Sequence, residues 1–211
     1  MTSLGPLDIP AAVTFLIVGF YWYRVVRMVR KQKKQTGRAG NFVPRETIGR
    51  ILRVIWYPTV IIWIVAPGMA MWTRSLPGLQ LFYDLPILRY LAVVVAGVAL
   101  WLTMICWREM GKSWRMGIDP DEKTELVVQG AFGYVRHPIY ALQMLLAIVS
   151  FLGVPTVAMA VVATLLLVFL SWEAIREERY LVRTHGDAYG TYYANVGRFV
   201  PRSVRPYKQG S

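Results

Sequence analysis

The sequence predicts an all-α fold, an integral membrane bundle of five transmembrane helices with a cytosolic C-terminal helix. Hydrophobic residues make up 55% of the 211 residues and charged residues only 17%, which is too apolar for a typical soluble domain. The apolar residues form long blocks, and the net charge of +12 lies between those blocks. This distribution is typical of a membrane protein, so we expect membrane lipids and no nucleic acid as partners.

Long apolar blocks define the individual spans. They cover residues 9–29, 51–72, 85–107 and 139–172, each near or above the ~18 to 20 residues that a helix needs to cross a bilayer. The last block is too long for one span and carries the sequence LGVP near its middle. Glycine and proline interrupt a helix, so this block predicts two spans in a tight hairpin.

The positions of lysine and arginine predict the orientation in the membrane. Of the 24 basic residues, ten lie in residues 24–53, five in 108–136 and seven after 172. Only Arg74 and Arg89 fall on the opposite side. Because cytoplasmic loops carry the excess of positive charge, we expect the N-terminus outside and the C-terminus in the cytosol.

The chain divides into two halves of a single membrane domain, residues 1–211. Three N-terminal spans occupy residues 1–106, and residues 107–211 hold the hairpin 139–172 with a polar cytosolic segment on each side. A tight hairpin returns both its ends to one membrane face. The two polar segments should therefore be neighbours and form one site. The single cysteine, Cys106, lies in an apolar run and is interpreted as a small buried hydrophobe.

Two glutamates follow the fifth span on a predicted continuation of its helix. At 100° per residue, one stripe carries Arg176, Arg179 and Arg183, and the roughly opposite face carries Ala174, Glu177, Glu178 and Leu181. A carboxylate that faces inward needs a hydrogen-bonding or cationic partner. That partner is either Arg136 or Arg198 in an internal ion pair, or the hydroxyls or cation of a bound ligand.

Arg136 and His137 stand directly before Pro138 at the start of the fourth span. The histidine either caps backbone groups there or holds a polar ligand at the membrane face, and the arginine offers a planar fork of five donors. The other histidine, His185, forms no known zinc-binding spacing with it. No metal site is predicted.

Aromatic residues near these segments have two interpretations. Trp107 and Trp114 are most simply interfacial anchors, or they belong to a lid over a substrate tunnel. Tyr189, Tyr192 and Tyr193 are expected to pack at the membrane surface, with stacking on a cofactor ring as the alternative.

Taken together, the motifs resemble the isoprenylcysteine carboxyl methyltransferase family, which includes phospholipid N-methyltransferase-like bacterial members. The similarity covers residues 107–201, whereas the first three spans are similar only in hydropathy. The RHPxY element matches at Arg136, His137, Pro138 and Tyr140, the EExxL element at Glu177, Glu178 and Leu181, and a downstream pattern at Gly186, Tyr189, Tyr192, Val196, Arg198 and Pro201.

This resemblance implies an integral-membrane methyltransferase of the bacterial inner membrane that uses S-adenosylmethionine. It implies a cytosolic cofactor pocket closed by the C-terminal helix, and a lipophilic acceptor that enters from the bilayer. The residues carried over as the pocket lining are Leu126, Val127, Gly130, Tyr134, His137, Tyr140, Glu177 and Glu178.

The acceptor group stays open, as a carboxylate, an amine or a thiol. Arg136 or Arg198 would orient a carboxylate acceptor, and Glu178 would take the proton of an amine. The segment GKSWRMGID, residues 111–119, departs from the eukaryotic prenylcysteine enzymes. A prenylated protein is therefore not the expected substrate.

Two other functions remain as alternatives. Sterol reductases that use NADPH carry a similar RHPxY layout, although they tend to have an arginine-aspartate arrangement where this chain has REERYL. A non-enzymatic scaffold or lipid-binding subunit would need His137, Glu177 and Glu178 only for stability.

Overall fold

The computed structural model describes residues 7–36, 47–111, 114 and 126–208. The regular structure within these ranges is helical, which confirms the predicted all-α class. The helices are α1 (Ile9–Thr36), α2 (Thr47–Ala70), α3 (Pro86–Met110), α4 (Pro138–Gly153), α5 (Val157–His185) and α6 (Asp187–Asn195), with a short 3₁₀ turn at Gly130–Gly133 before α4.

Five of the helices form a closed ring. Helix α1 contacts α2 and α3, α4 lies between α3 and α5, and α2 closes the ring against α5. The most extensive contact is between α3 and α4. Helix α3 buries a stripe of small side chains, Ala92, Ala96, Ala99 and Thr103. Within lipid no hydrophobic driving force acts between helices, so their association depends on close packing. Small residues permit this packing because they let two backbones approach closely.

The predicted hairpin is confirmed, because α4 ends at Gly153 and α5 begins at Val157. Thr156 caps α5, and its hydroxyl accepts a hydrogen bond from the Met159 N–H at 3.3 Å. The Phe82 N–H donates to the Pro155 carbonyl at 2.7 Å and ties the hairpin tip to the loop before α3.

Four helices, α1, α2, α3 and α5, are long and apolar enough to cross a membrane. Large apolar side chains on them point outward, for example Val54 and Val168, which are 72% and 66% exposed. Such outward apolar faces are suited to lipid. The chain is therefore an integral membrane protein. Helix α4 has only 16 residues, fewer than the ~20 of a full span, so the fifth predicted span stays a prediction.

The two arginines predicted on the less basic side meet in one ion cluster. Arg89 is buried and donates to both Asp8 oxygens, at 2.7 and 2.5 Å, and to Asp84 at 2.7 Å. Its Nε also donates to the Gly153 carbonyl at 2.9 Å. Arg74 donates to Asp8 at 2.6 Å. The cluster joins the starts of α1 and α3 to the end of α4, so these three ends lie at one level.

Candidate active site

The carboxylate of Glu178 is the centre of a buried ion network. Arg136 donates to its Oε1 through Nε at 3.0 Å and Nη2 at 2.8 Å. Arg198 donates to its Oε2 through Nη2 at 2.6 Å. Two guanidinium groups offset the free-energy cost of burying this carboxylate. The interpretation as an internal ion pair is thus confirmed for Glu178, and both proposed partners take part.

Backbone pairing holds the two motif segments together. The Arg136 N–H donates to the Gly197 carbonyl at 2.8 Å, and the His137 N–H donates to the Arg198 carbonyl at 3.0 Å. His137 has a non-helical backbone, as expected for a residue before proline. The chain therefore runs extended past residues 197–198 and then turns into α4.

The Nη1 group of Arg136 also has hydrogen-bond partners. Its Nη1 donates to the carbonyls of Tyr193, at 2.9 Å, and Val196. The guanidinium lies over the Tyr193 ring, with 4.1 Å from Cζ to the ring centroid. Arg136 thus joins α5 to the segment that follows α6, and protein groups occupy four of its five N–H donors. The carboxylate-orienting role predicted for it stays a prediction.

A pocket, here called the outer pocket, lies beside the network. Its space, including the open mouth, is about 750 Å³. It is lined by Met110, Trp114, Leu126, Val127, Phe132, Arg136, His137, Pro138, Ile139, Tyr140, Glu177, Leu181, Tyr189 and Tyr192. Most of this lining is apolar or aromatic, with a few convergent polar groups, as is usual for ligand sites.

Glu177 supplies the carboxylate of the outer pocket. The Tyr140 hydroxyl is hydrogen-bonded to it, and its Oε2 lies 3.8 Å from His137 Nδ1. The His137 ring is parallel to the Tyr140 ring, with centroids 5.4 Å apart, and its Nε2 lies 3.4 Å from Glu178 Oε1. His137 therefore connects the pocket to the ion network.

Tyr189 and Tyr192 form the opposite wall. The Tyr192 hydroxyl donates to the Phe132 carbonyl at 2.6 Å. The Tyr189 hydroxyl is buried and has no hydrogen-bond partner among the described residues. Burial raises the pKa of Tyr189, so its hydroxyl stays protonated at neutral pH. A buried hydroxyl of this kind is suited to a polar group of a ligand.

A second pocket, here called the inner pocket, lies inside the helical ring. It is lined by side chains of all five ring helices, including Trp22 of α1, Arg53 of α2 and Gln143 of α4. Trp114, Ile139 and Tyr140 line both pockets. The two pockets are therefore adjacent, and the start of α4 separates them.

The structure brings most of the predicted cofactor residues together. Leu126, Val127, His137, Tyr140 and Glu177 line the outer pocket. Of the predicted catalytic residues, Arg136 reaches the lining. Glu178 and Arg198 lie behind it in the ion network.

Gly130 and Tyr134 lie outside this lining. Gly130 has φ of +60°, and a Cβ there would collide with the Glu109 carboxylate. That carboxylate accepts a hydrogen bond from the Ala131 N–H at 2.9 Å. Tyr134 is 40% exposed and faces the C-terminal segment near Pro206. Gly130 therefore shapes the turn that leads into the site.

Four aromatic residues at the pockets were expected mainly in another role. Trp107 and Trp114 were expected as interfacial anchors, but they are 5% and 7% exposed, so that interpretation is wrong. Tyr189 and Tyr192 are buried and line the outer pocket, and their stacking on a cofactor ring stays a prediction. The spacing of Tyr189 and Tyr192 on α6 carries no information about the residues against which they pack.

A family comparison now adds to this geometry. Residues 89–183 match the model of the isoprenylcysteine carboxyl methyltransferase (ICMT) family. The predicted resemblance is confirmed. No curated protein matches the chain. The match begins inside α3, earlier than the predicted residue 107, and it ends before the downstream tyrosine pattern. Residues 89–183 are less than half of the 211 residues, so the match stays a similarity to that family.

Proposed function

We propose that the protein is an S-adenosylmethionine-dependent methyltransferase that acts on a lipophilic acceptor at the cytosolic face of the membrane. The observation that carries this proposal is the outer pocket, which combines the histidine and tyrosine of the RHPxY element with Glu177 of the EExxL element. The ICMT match over residues 89–183 supports the reaction type.

The residues of the outer pocket fit the chemistry of this cofactor. Glu177 supplies a negative charge for the sulfonium and ammonium groups. The parallel rings of His137 and Tyr140 offer a flat surface for the adenine ring. The buried Tyr189 hydroxyl provides a donor for a carboxylate or ribose oxygen.

Catalysis in such a site depends mainly on alignment. When bound, S-adenosylmethionine would supply an electrophilic methyl group to a lone pair of the acceptor, and its sulfur would keep the electrons of the broken bond. The protein therefore has to hold the acceptor atom in line and exclude water. Arg136, Glu178 and Arg198 then act as positioning residues, because both guanidinium groups bind the Glu178 carboxylate.

In this proposal the methyl acceptor binds in the inner pocket. It lies within the helical ring and adjoins the outer pocket at Trp114, Ile139 and Tyr140. A lipid chain among the helices would bring its polar end to that junction. With α4 as a fifth span, the 22 basic residues against two on the other side support the outer pocket on the cytosolic face.

The test is the thermal stability of the detergent-purified protein with S-adenosylmethionine, S-adenosylhomocysteine or NADPH. A ligand at 100 times its dissociation constant adds about 2.7 kcal/mol of apparent stability. We expect both sulfur compounds to stabilise the wild type and Arg183→Gln, which changes an exposed residue of α5. Glu177→Gln should lose most of that shift. Stabilisation by NADPH alone would support the reductase instead.

A further inference from the structure

The last described residues, 202–208, follow the motifs and are here called the C-terminal strap. Their backbone is irregular, and their side chains are exposed except for Tyr207, which is half-buried. The strap lies beyond residue 183, where the family match ends, and beyond Pro201, where the downstream motif pattern ends. A role for the strap can therefore be inferred only from its own contacts.

Tyr207 connects the strap to two neighbouring elements. Its backbone N–H donates to the Gly133 carbonyl of the 3₁₀ turn at 2.9 Å. Its ring meets the Tyr192 ring of α6, with centroids 5.4 Å apart and 61° between the ring planes. This edge-to-face arrangement is favoured between aromatic rings. One residue of the strap therefore contacts both the turn and α6.

Both of these elements belong to the wall of the outer pocket. Phe132 of the turn and Tyr192 of α6 line that pocket. The Tyr192 hydroxyl donates to the Phe132 carbonyl at 2.6 Å, and the Tyr207 N–H donates to the next carbonyl of the same turn. Tyr207 thus lies behind the wall and acts on the pocket through Tyr192 and the turn.

The strap also packs against a small hydrophobic cluster beside the outer pocket. Four buried side chains form this cluster and three partly buried ones pack against it: Val128, Tyr189, Tyr192 and Val196, with Leu126, Leu181 and Tyr207. Four of these side chains also line the outer pocket, namely Leu126, Leu181, Tyr189 and Tyr192. Removal of one ring from so small a cluster takes packing contacts from its neighbours. A change at Tyr207 therefore reaches side chains that face the pocket.

A glycine allows the strap to approach the turn closely. A Cβ at Gly133 would lie 3.0 Å from the Pro206 Cβ and 3.3 Å from the Tyr207 carbonyl oxygen, which is closer than ordinary van der Waals contact. At the start of the strap, Arg202 Nη1 donates to the Ala194 carbonyl at 2.7 Å. The strap is thus attached both to the end of α6 and to the turn.

We propose that Tyr207 is a positioning residue of the outer pocket, which holds Tyr192 and the 3₁₀ turn at the spacing that S-adenosylmethionine binding requires. The proposal rests on the proposed methyltransferase function and adds to it a residue outside the family match. A wall that is ordered in advance saves the free energy of ordering it when the ligand binds. Loss of the Tyr207 contacts should therefore weaken cofactor binding.

Calorimetric titration of the detergent-purified full chain with S-adenosylhomocysteine tests this proposal. Tyr207→Ala removes the ring contact, and its Kd should rise roughly three- to tenfold. Tyr207→Phe keeps the ring and the backbone N–H, so it should bind like the wild type. Val204→Ala changes a strap residue that is 93% exposed, and it should also bind like the wild type.

Gly133→Ala provides a second variant that leaves Tyr207 in place. Its Cβ would displace the strap from the turn, so the Kd should rise here too, even if Tyr207→Ala folds poorly. Circular dichroism checks that each variant is folded. In methyl transfer, both variants should raise KM for S-adenosylmethionine and leave kcat within about twofold of the wild type.

The outcomes separate a positioning role from a structural one and from the proposed function. A lower unfolding temperature of Tyr207→Ala with an unchanged Kd would show a purely structural role and overturn the proposal. An equal rise in Val204→Ala, or a Tyr207→Phe that binds as weakly as Tyr207→Ala, would overturn it as well. A wild type that binds no S-adenosylhomocysteine would instead contradict the methyltransferase function on which the proposal rests.

Discussion

Glu177 and Glu178 are neighbours in the sequence with different surroundings. Glu178 is 4% exposed and is bonded by two arginines, whereas Glu177 is half-buried and lines the outer pocket. Breaking a buried ion pair from one side costs about 3 to 5 kcal/mol, because the partner charge is left uncompensated. Structural and ligand-binding roles are therefore divided between two adjacent carboxylates.

This division predicts different effects of Glu178→Gln and Glu177→Gln. The change at Glu178 should lower the free energy of unfolding by about 3 kcal/mol or more, and the change at Glu177 by less than about 1 kcal/mol. Unfolding followed by circular dichroism in detergent measures both values. Equal losses in the two variants would contradict the assignment.

Tyr189→Phe removes a buried hydroxyl without a partner among the described residues. We expect the unliganded protein to be as stable as the wild type or slightly more so, since no hydrogen bond is lost. Stabilisation by S-adenosylhomocysteine should fall. Tyr192→Phe is the matched control, because it breaks the bond to the Phe132 carbonyl and should cost about 0.5 to 1.5 kcal/mol without ligand. An unchanged ligand shift in Tyr189→Phe would remove that hydroxyl from the site.

At the scale of elements, the turn before α4 sets the position of the RHPxY segment. Gly130 adopts φ of +60°, a conformation that side chains rarely tolerate, and Glu109 fills the space where a Cβ would lie. Gly130→Ala should destabilise the protein by about 1 to 3 kcal/mol. Gly190→Ala, in open space within α6, should be neutral or stabilising by about 0.5 to 1 kcal/mol. Thermal unfolding of the two variants gives the comparison, and similar midpoints would contradict the strain at Gly130.

The helical hairpin and the inward face of α5 could be predicted from local sequence. The LGVP break and the positions of Ala174 and Glu178 follow from chain chemistry and helical periodicity alone. The burial of Trp107 and Trp114 could not be predicted in this way. Periodicity identifies a face, but it does not identify the helix against which that face packs, and tryptophan is equally suited to a core and to a membrane interface.

At the scale of the whole molecule, charge is strongly asymmetric between the two ends of the bundle. The less basic end holds Arg74 and Arg89, and both are paired with Asp8 or Asp84. Among the described residues, the positive charge that is not balanced by carboxylates therefore lies at the end of the helical bundle that carries both pockets. Sequence counting predicted the asymmetry, but the closed ring, which brings α1 and α2 to the inner pocket, depends on contacts between distant segments.

This asymmetry predicts the accessibility of single cysteines placed at the two ends. In a Cys106→Ala background, Ser75→Cys should react with a membrane-impermeant maleimide in intact cells, because Ser75 is exposed at the less basic end. Ser203→Cys, exposed at the opposite end, should react only after permeabilisation. The reverse pattern would invert the predicted orientation.

The most direct measurement is methyl transfer itself. The purified protein is incubated with S-adenosylmethionine carrying a tritiated methyl group and with a total bacterial lipid extract, which is then partitioned into organic solvent. We predict that label enters the organic phase with the wild type, falls to background with Glu177→Gln, and is unaffected by Arg183→Gln. Label that stays in the aqueous phase with folded wild-type protein would contradict a methyltransferase with a lipid acceptor.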